Sequence, residues 1–221
     1  MAGLEVVSGR KLLYGSLDSK ETMRVFATFF EHEIDFEFIN VNIKPEDHRD
    51  FLSQIPFGEL PVYKEEEGDL IVFGSRAIMR YLSHMYMTTG KEFIYVSPRM
   101  QVIVSSWIES EDHWFDPLAS KLIEKSKNGL AQTEEEAEAA VAETEKELAK
   151  ILDVYEDQLK VNDYLAGDKF TTADLTHLPN LYYLMKMKTK RLFEERPRVA
   201  AWCAVIMPRP AWAKVVAMVE T

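Results

Sequence analysis

The chain has one cysteine in 221 residues, which excludes an internal disulfide and points to a reducing, intracellular setting. Positive charge is also scarce: 26 Lys and Arg stand against 37 Asp and Glu, a net charge of −11. Nucleic acid and anionic membrane surfaces are recognised by clustered Lys and Arg, so neither is an expected partner. No apolar run approaches the roughly 18 residues of a membrane span. Met1 to Arg10 has neither the basic nor the apolar region of a secretory signal. A cytoplasmic protein is expected.

What the chain does have is apolar content of 47%, enough for one compact unit or two modest domains with cores of their own. Its central stretch is Ile55-Pro56-Phe57-Gly58-Glu59-Leu60-Pro61-Val62-Tyr63, followed by an acidic turn at Glu65 to Asp69 and a second strand, Leu70-Ile71-Val72-Phe73. Pro61 stands at a strand entrance, where its missing N–H is not needed by the ladder. Gly74-Ser75-Arg76 then opens Ala77 to Leu82, apolar at helical spacing, so Ser75 is expected to cap a helix and leave backbone N–H groups facing an anion.

Upstream, Lys11-Leu12-Leu13-Tyr14-Gly15 reads as a first strand. Met23, Phe26, Ala27 and Phe30 share one helical face, with Ser19 in position to cap that helix and Glu21 or Thr22 suiting its first turn. Phe36 to Val41 alternates as a second strand, and Asp47 to Leu52 suggests a helical turn. Strand, helix, strand, turn, hairpin, helix is the layout of a thioredoxin-like α/β domain. It is expected over 1–88, with 1–10 as an extension and 89–97 as linker.

Beyond the linker only helical patterns follow, so 98–221 is expected to be an all-α domain. Its helices are placed at Met100 to Phe115, broken at Pro117; Lys121 to Lys127; Glu134 to Lys160; Thr172 to Leu184, interrupted at Pro179; Arg198 to Val205; and Ala211 to Val219. The acidic run from Thr133 to Ala149 is the solvated face of the third of these, because Val141, Leu148, Leu152, Tyr155 and Leu159 keep an apolar stripe through it. Thr171 with Asp174 forms a capping-box pattern.

Taken together, these residues resemble a cytosolic glutathione transferase of the plant phi class. The resemblance rests on Pro56-Phe57-Gly58-Glu59-Leu60-Pro61, Gly74-Ser75-Arg76-Ala77-Ile78, Glu111-Asp112-His113-Trp114-Phe115-Asp116-Pro117, Tyr164 to Leu175, and Leu192-Phe193-Glu194-Glu195-Arg196-Pro197-Arg198-Val199. It implies a homodimer that joins the thiol of glutathione, as co-substrate and with no further cofactor, to apolar electrophiles. A carrier of apolar ligands with little conjugating activity is the second expectation.

The resemblance also implies site residues. Ser19 takes the place of the serine that donates to the glutathione sulfur, a role in which a donor and the positive end of a helix favour thiolate; Ser16 is the second candidate. His48 and Arg49 are implied for the glycyl carboxylate, Leu60 beside Pro61 for backbone pairing with the cysteinyl unit, and Ser75 for the γ-glutamyl carboxylate. Trp114, Phe115 and Tyr183 are candidates for the electrophile pocket, with core packing the competing role, and Phe57 for contact with a second subunit. The family usually has glutamine where Glu59 stands and glutamate where Gly74 stands. A misplaced carboxylate would weaken glutathione binding roughly ten to a hundredfold. Cys203, His113 and His177 lie among apolar residues and read as core, and no cluster has metal-ligand spacing.

Overall fold

The structure is a computed structural model that describes residues 9–43, 45–67, 69–87, 93–128 and 134–220. Most of the 1–10 extension and residues 89–92 of the expected linker lie outside them. The described residues divide into two compact units: one up to Ile94 together with those from Pro210 on, the other Tyr95–Arg209.

In the first unit, β1 (Lys11–Gly15) pairs in parallel with β2 (Glu37–Asn40) and antiparallel with β3 (Val62–Glu65), which pairs with β4 (Leu70–Phe73); the sheet order is β2-β1-β3-β4. Helix α1 (Lys20–His32) connects the parallel pair, as a crossover between parallel strands requires. It is buried on every side from Thr22 to Phe29. Phe29 stacks on Phe36 at 4.2 Å, and Phe26 meets Phe38 edge-on at 4.8 Å. Helix α2 (Arg49–Leu52) is a single turn, and α3 (Ser75–Met85) packs against α1. Ser75 is the first helical residue here, not the cap expected of it: the cap position is Gly74, at φ 83.

The second unit is helical. Helix α4 (Pro98–Ser110) runs through a π turn at Glu111–Phe115 into α5 (Asp116–Asn128). A break was expected at Pro117. Instead the Asp116 amide reaches back five residues to the Glu111 carbonyl, and the extra residue of the π turn accommodates the proline without ending the helix. Helix α6 (Glu134–Leu159) keeps Leu148, Leu152, Tyr155 and Leu159 buried. The expected Thr172 to Leu184 helix is two, α7 (Thr172–Leu175) and α8 (Leu178–Leu184), and Pro179 sits in the first turn of α8, where no N–H is needed. Helices α9 (Lys190–Glu194) and α10 (Pro197–Ile206) complete the unit.

Two expectations about domain limits change. Phe93 and Ile94 are buried parts of the first unit, Phe93 edge-on to His32 at 4.8 Å. The last helix, α11 (Pro210–Val219), belongs to the first unit as well, packing on α1 through the face that buries Ala211, Trp212 and Val215. A purely helical sequence says nothing about which neighbour an apolar face will find.

Candidate active site

Gly15 ends β1 where the chain must turn sharply into α1. A Cβ there would stand 2.6 Å from Thr22 Oγ1, so the close approach of strand and helix requires glycine. The Ser16 amide donates to that same Thr22 Oγ1 at 3.2 Å, closing the turn. Ser16 Oγ accepts from Asn42 Nδ2 at 2.7 Å and from the Asp18 amide at 3.3 Å. Ser19 caps α1 as expected, accepting from the Thr22 amide at 3.2 Å. Its hydroxyl also donates to Glu21 Oε2 at 2.8 Å, which was not foreseen.

The Leu60–Pro61 bond is cis and leads into β3, with Pro61 buried, Leu60 half-buried and Glu59 exposed. The Gly74 amide donates to the Pro61 carbonyl at 3.3 Å, so the turn that starts α3 lies against the turn that starts β3. Ser75 is buried, and its Oγ accepts from Arg24 on α1 at 2.8 Å. Arg24 is fully buried and escaped the sequence reading; its one signal is a cation inside the otherwise apolar run Met23 to Phe26. His48 lies half-buried and edge-on to Tyr14 of β1 at 6.0 Å, whereas Arg49 is exposed at the start of α2. Leu60, Pro61 and Ser75 thus lie on two turns joined by a hydrogen bond, and Ser19 stands at the N-terminus of α1, the helix whose Arg24 holds Ser75. What this arrangement offers chemically is a hydroxyl at one helix N-terminus and an anion-accepting start at another.

The electrophile-side candidates fall in the second unit and differ from one another. Trp114 is 62% exposed and Tyr183 half-buried beside Tyr182. Phe115 corrects the expectation: it is completely buried, stacked on Tyr155 at 6.0 Å and 4.9 Å from His177. Its ring has no surface left for a ligand. His177 is a core histidine, its Nδ1 held by the Ala173 carbonyl and its Nε2 by the Tyr155 hydroxyl. His113 is not core but exposed, with Nδ1 held by the Glu109 carbonyl; Glu109, Asp112 and His113 bring ligand-type atoms within 4.8 Å of one another on the surface. Cys203 is buried, and burial pushes its thiol up to about 12.

Family comparisons follow the two units closely. The model of the glutathione S-transferase N-terminal domain matches residues 13–90, and that of the C-terminal domain residues 95–210. A glutathione S-transferase of Hyoscyamus muticus is 45% identical, covering 92% of this chain and 96% of its own. Glutathione S-transferase F7 of Arabidopsis thaliana is 38% identical, covering 97% and 100%. Among solved structures, glutathione transferase F2 of Populus trichocarpa superposes with a TM-score of 0.84 at 31% identity, covering 95% of this chain and 99% of its own. With both halves matched in order and the full length shared, the chain belongs to the glutathione S-transferase family, in its plant phi class.

Proposed function

We propose that this transferase binds glutathione across the connected turns of its first unit and joins the thiol to apolar electrophiles with Ser19 at the sulfur. The observation that carries the reading is the position of Ser19, whose hydroxyl caps α1 at the end of β1, where donor and helix terminus act together on a thiolate. Ser75, at the start of α3 and braced by Arg24, takes the γ-glutamyl carboxylate. His48 and Arg49 take the glycyl carboxylate, Leu60 pairs with the cysteinyl backbone beside Pro61, and Glu59 faces the γ-glutamyl ammonium. Trp114 and Tyr183 line the electrophile side, and Phe115 supports it from the core. The protein acts as a cytoplasmic homodimer and needs no cofactor beyond its co-substrate.

Calorimetric titration with glutathione, beside a chloronitrobenzene conjugation assay, tests this. Ser19→Ala should cut turnover at neutral pH roughly tenfold with binding little changed. Unaltered turnover in that variant rejects Ser19 as the residue at the sulfur, and absence of binding in the unaltered protein rejects the reading as a whole.

A further inference from the structure

A serine hydroxyl has one hydrogen to give and two lone pairs with which to accept. At Ser19 the hydrogen is given to Glu21 Oε2 at 2.8 Å, since a carboxylate has none to return, and one lone pair takes the Thr22 amide at 3.2 Å. What remains to meet an arriving sulfur is a lone pair. An acceptor suits a thiol S–H; a thiolate needs a donor. We infer that Glu21 is a positioning residue that sets the ionisation of the bound thiol by holding the Ser19 hydroxyl hydrogen away from it. The inference rests on the reading that glutathione binds with its sulfur at Ser19.

Hydrogen bonds from a hydroxyl to a carboxylate are among the stronger ones, so the sulfur must compete with Glu21 for its donor. Each time it wins, the hydroxyl turns from Oε2 to S⁻ and no covalent bond changes. A relay in which Glu21 removes the thiol proton through Ser19 is the opposite role. It is disfavoured because a carboxylate is in general a weaker base than a thiolate by about four orders of magnitude. The other charged groups of the segment are Asp18 and Lys20 on either side of Ser19 and Arg24, whose guanidinium is turned to Ser75. Of the elements packed on α1, α3 carries Arg76, Arg80 and His84, and α11 carries Lys214; on the turns nearby, His48 lies against Tyr14 and Glu59 is exposed. All of them stay in place in the test, so a shift reports on Glu21.

The apparent pKa of bound glutathione, followed through the ultraviolet absorbance of the thiolate as pH is varied, is to be measured in the full-length protein and in Glu21→Ala and Glu21→Gln. In Glu21→Ala it should fall by about one unit, with kcat near neutral pH rising by up to about tenfold; Glu21→Gln, isosteric but uncharged, should fall part of the way. Thermal unfolding of each variant shows that α1 is intact. In the Ser19→Ala background the same change at Glu21 should produce no fall, because no hydroxyl is left to release. An equal fall in that background overturns the inference, as does an unmoved or raised pKa in Glu21→Ala. A raised pKa with lost turnover would support the relay. If the unaltered protein binds no glutathione, both this inference and the reading beneath it fall; binding with an unmoved thiol pKa overturns this inference alone.

Discussion

Arg24 donates to Ser75 Oγ at 2.8 Å, from a side chain with no exposed surface to one that is buried, and so ties the middle of α1 to the first residue of α3. Arginine can only donate, so the serine oxygen is the acceptor and its hydrogen stays available for an anion in front of α3. Charged hydrogen bonds of this kind contribute about 1.5–3 kcal/mol. Arg24→Met should therefore raise the KM for glutathione roughly ten to a hundredfold with a smaller change in kcat, and lower the melting temperature. Equal KM in mutant and wild type would show that Ser75 needs no brace.

Glu59 and Gly74 form the second test. The hydrogen bond from the Gly74 amide to the Pro61 carbonyl places the two turns together, so Glu59, two residues before Pro61, is on hand to replace the acid missing at 74. If it pairs with the γ-glutamyl ammonium, Glu59→Gln weakens glutathione binding and Gly74→Glu restores it. Tighter binding in Glu59→Gln alone means that Glu59 repels the ligand. The backbone sets a limit on the rescue: at φ 83 and ψ 122 a side chain costs about 1–3 kcal/mol, although no atom lies within 4 Å of the added Cβ. Gly74→Glu should therefore lose stability by that amount in either background, read by chemical denaturation.

Cys203 gives a prediction with a definite sign in pH. Burial raises its thiol from 9.0 to about 12, so above pH 9 the unfolded chain releases a proton that the folded chain keeps, and unfolding is favoured. The contribution is whole below pH 9 and is lost as pH rises towards 12, at up to about 1.4 kcal/mol per unit. Burial and the neighbouring Glu65 carboxylate push the Tyr63 hydroxyl upward too, which adds to the slope. The fall of unfolding free energy with pH across this range, taken from denaturation curves at each pH, should be shallower for Cys203→Ala, and the native thiol should resist alkylating reagents until the protein unfolds.

Phe57 stands 89% exposed, held out at φ 65 in the turn Pro56–Gly58. A large ring in that setting suits insertion into a second copy, and C2 pairing is the commonest arrangement. Sedimentation should give twice 25.5 kDa at micromolar concentration, with Phe57→Ala dissociating at least tenfold more readily. A monomer at that concentration removes the dimer from the account.

Local chemistry made much of this protein legible in sequence. The caps at Ser19 and Thr171, the strand Lys11–Gly15, the hairpin after Pro61 and the split between an α/β and a helical half all follow from side chains acting on their own backbone within a few residues. The same holds for the capping box, where Asp174 accepts from the Thr171 amide at 2.9 Å. Tertiary structure decided what depends on neighbours distant in the chain. It brought α11 to the first unit, buried Phe115 against Tyr155 and His177 while leaving Trp114 exposed one residue earlier, and set Arg24 beneath Ser75 across 51 positions. Periodicity says that a helix has an apolar face but not what covers it, and a hydrogen bond between α1 and α3 leaves no mark in the residues between them. The engagement of Ser19 by Glu21 lies between the two: both residues were visible at the helix start, but the direction in which a hydroxyl hydrogen points is fixed only when its partner is in place.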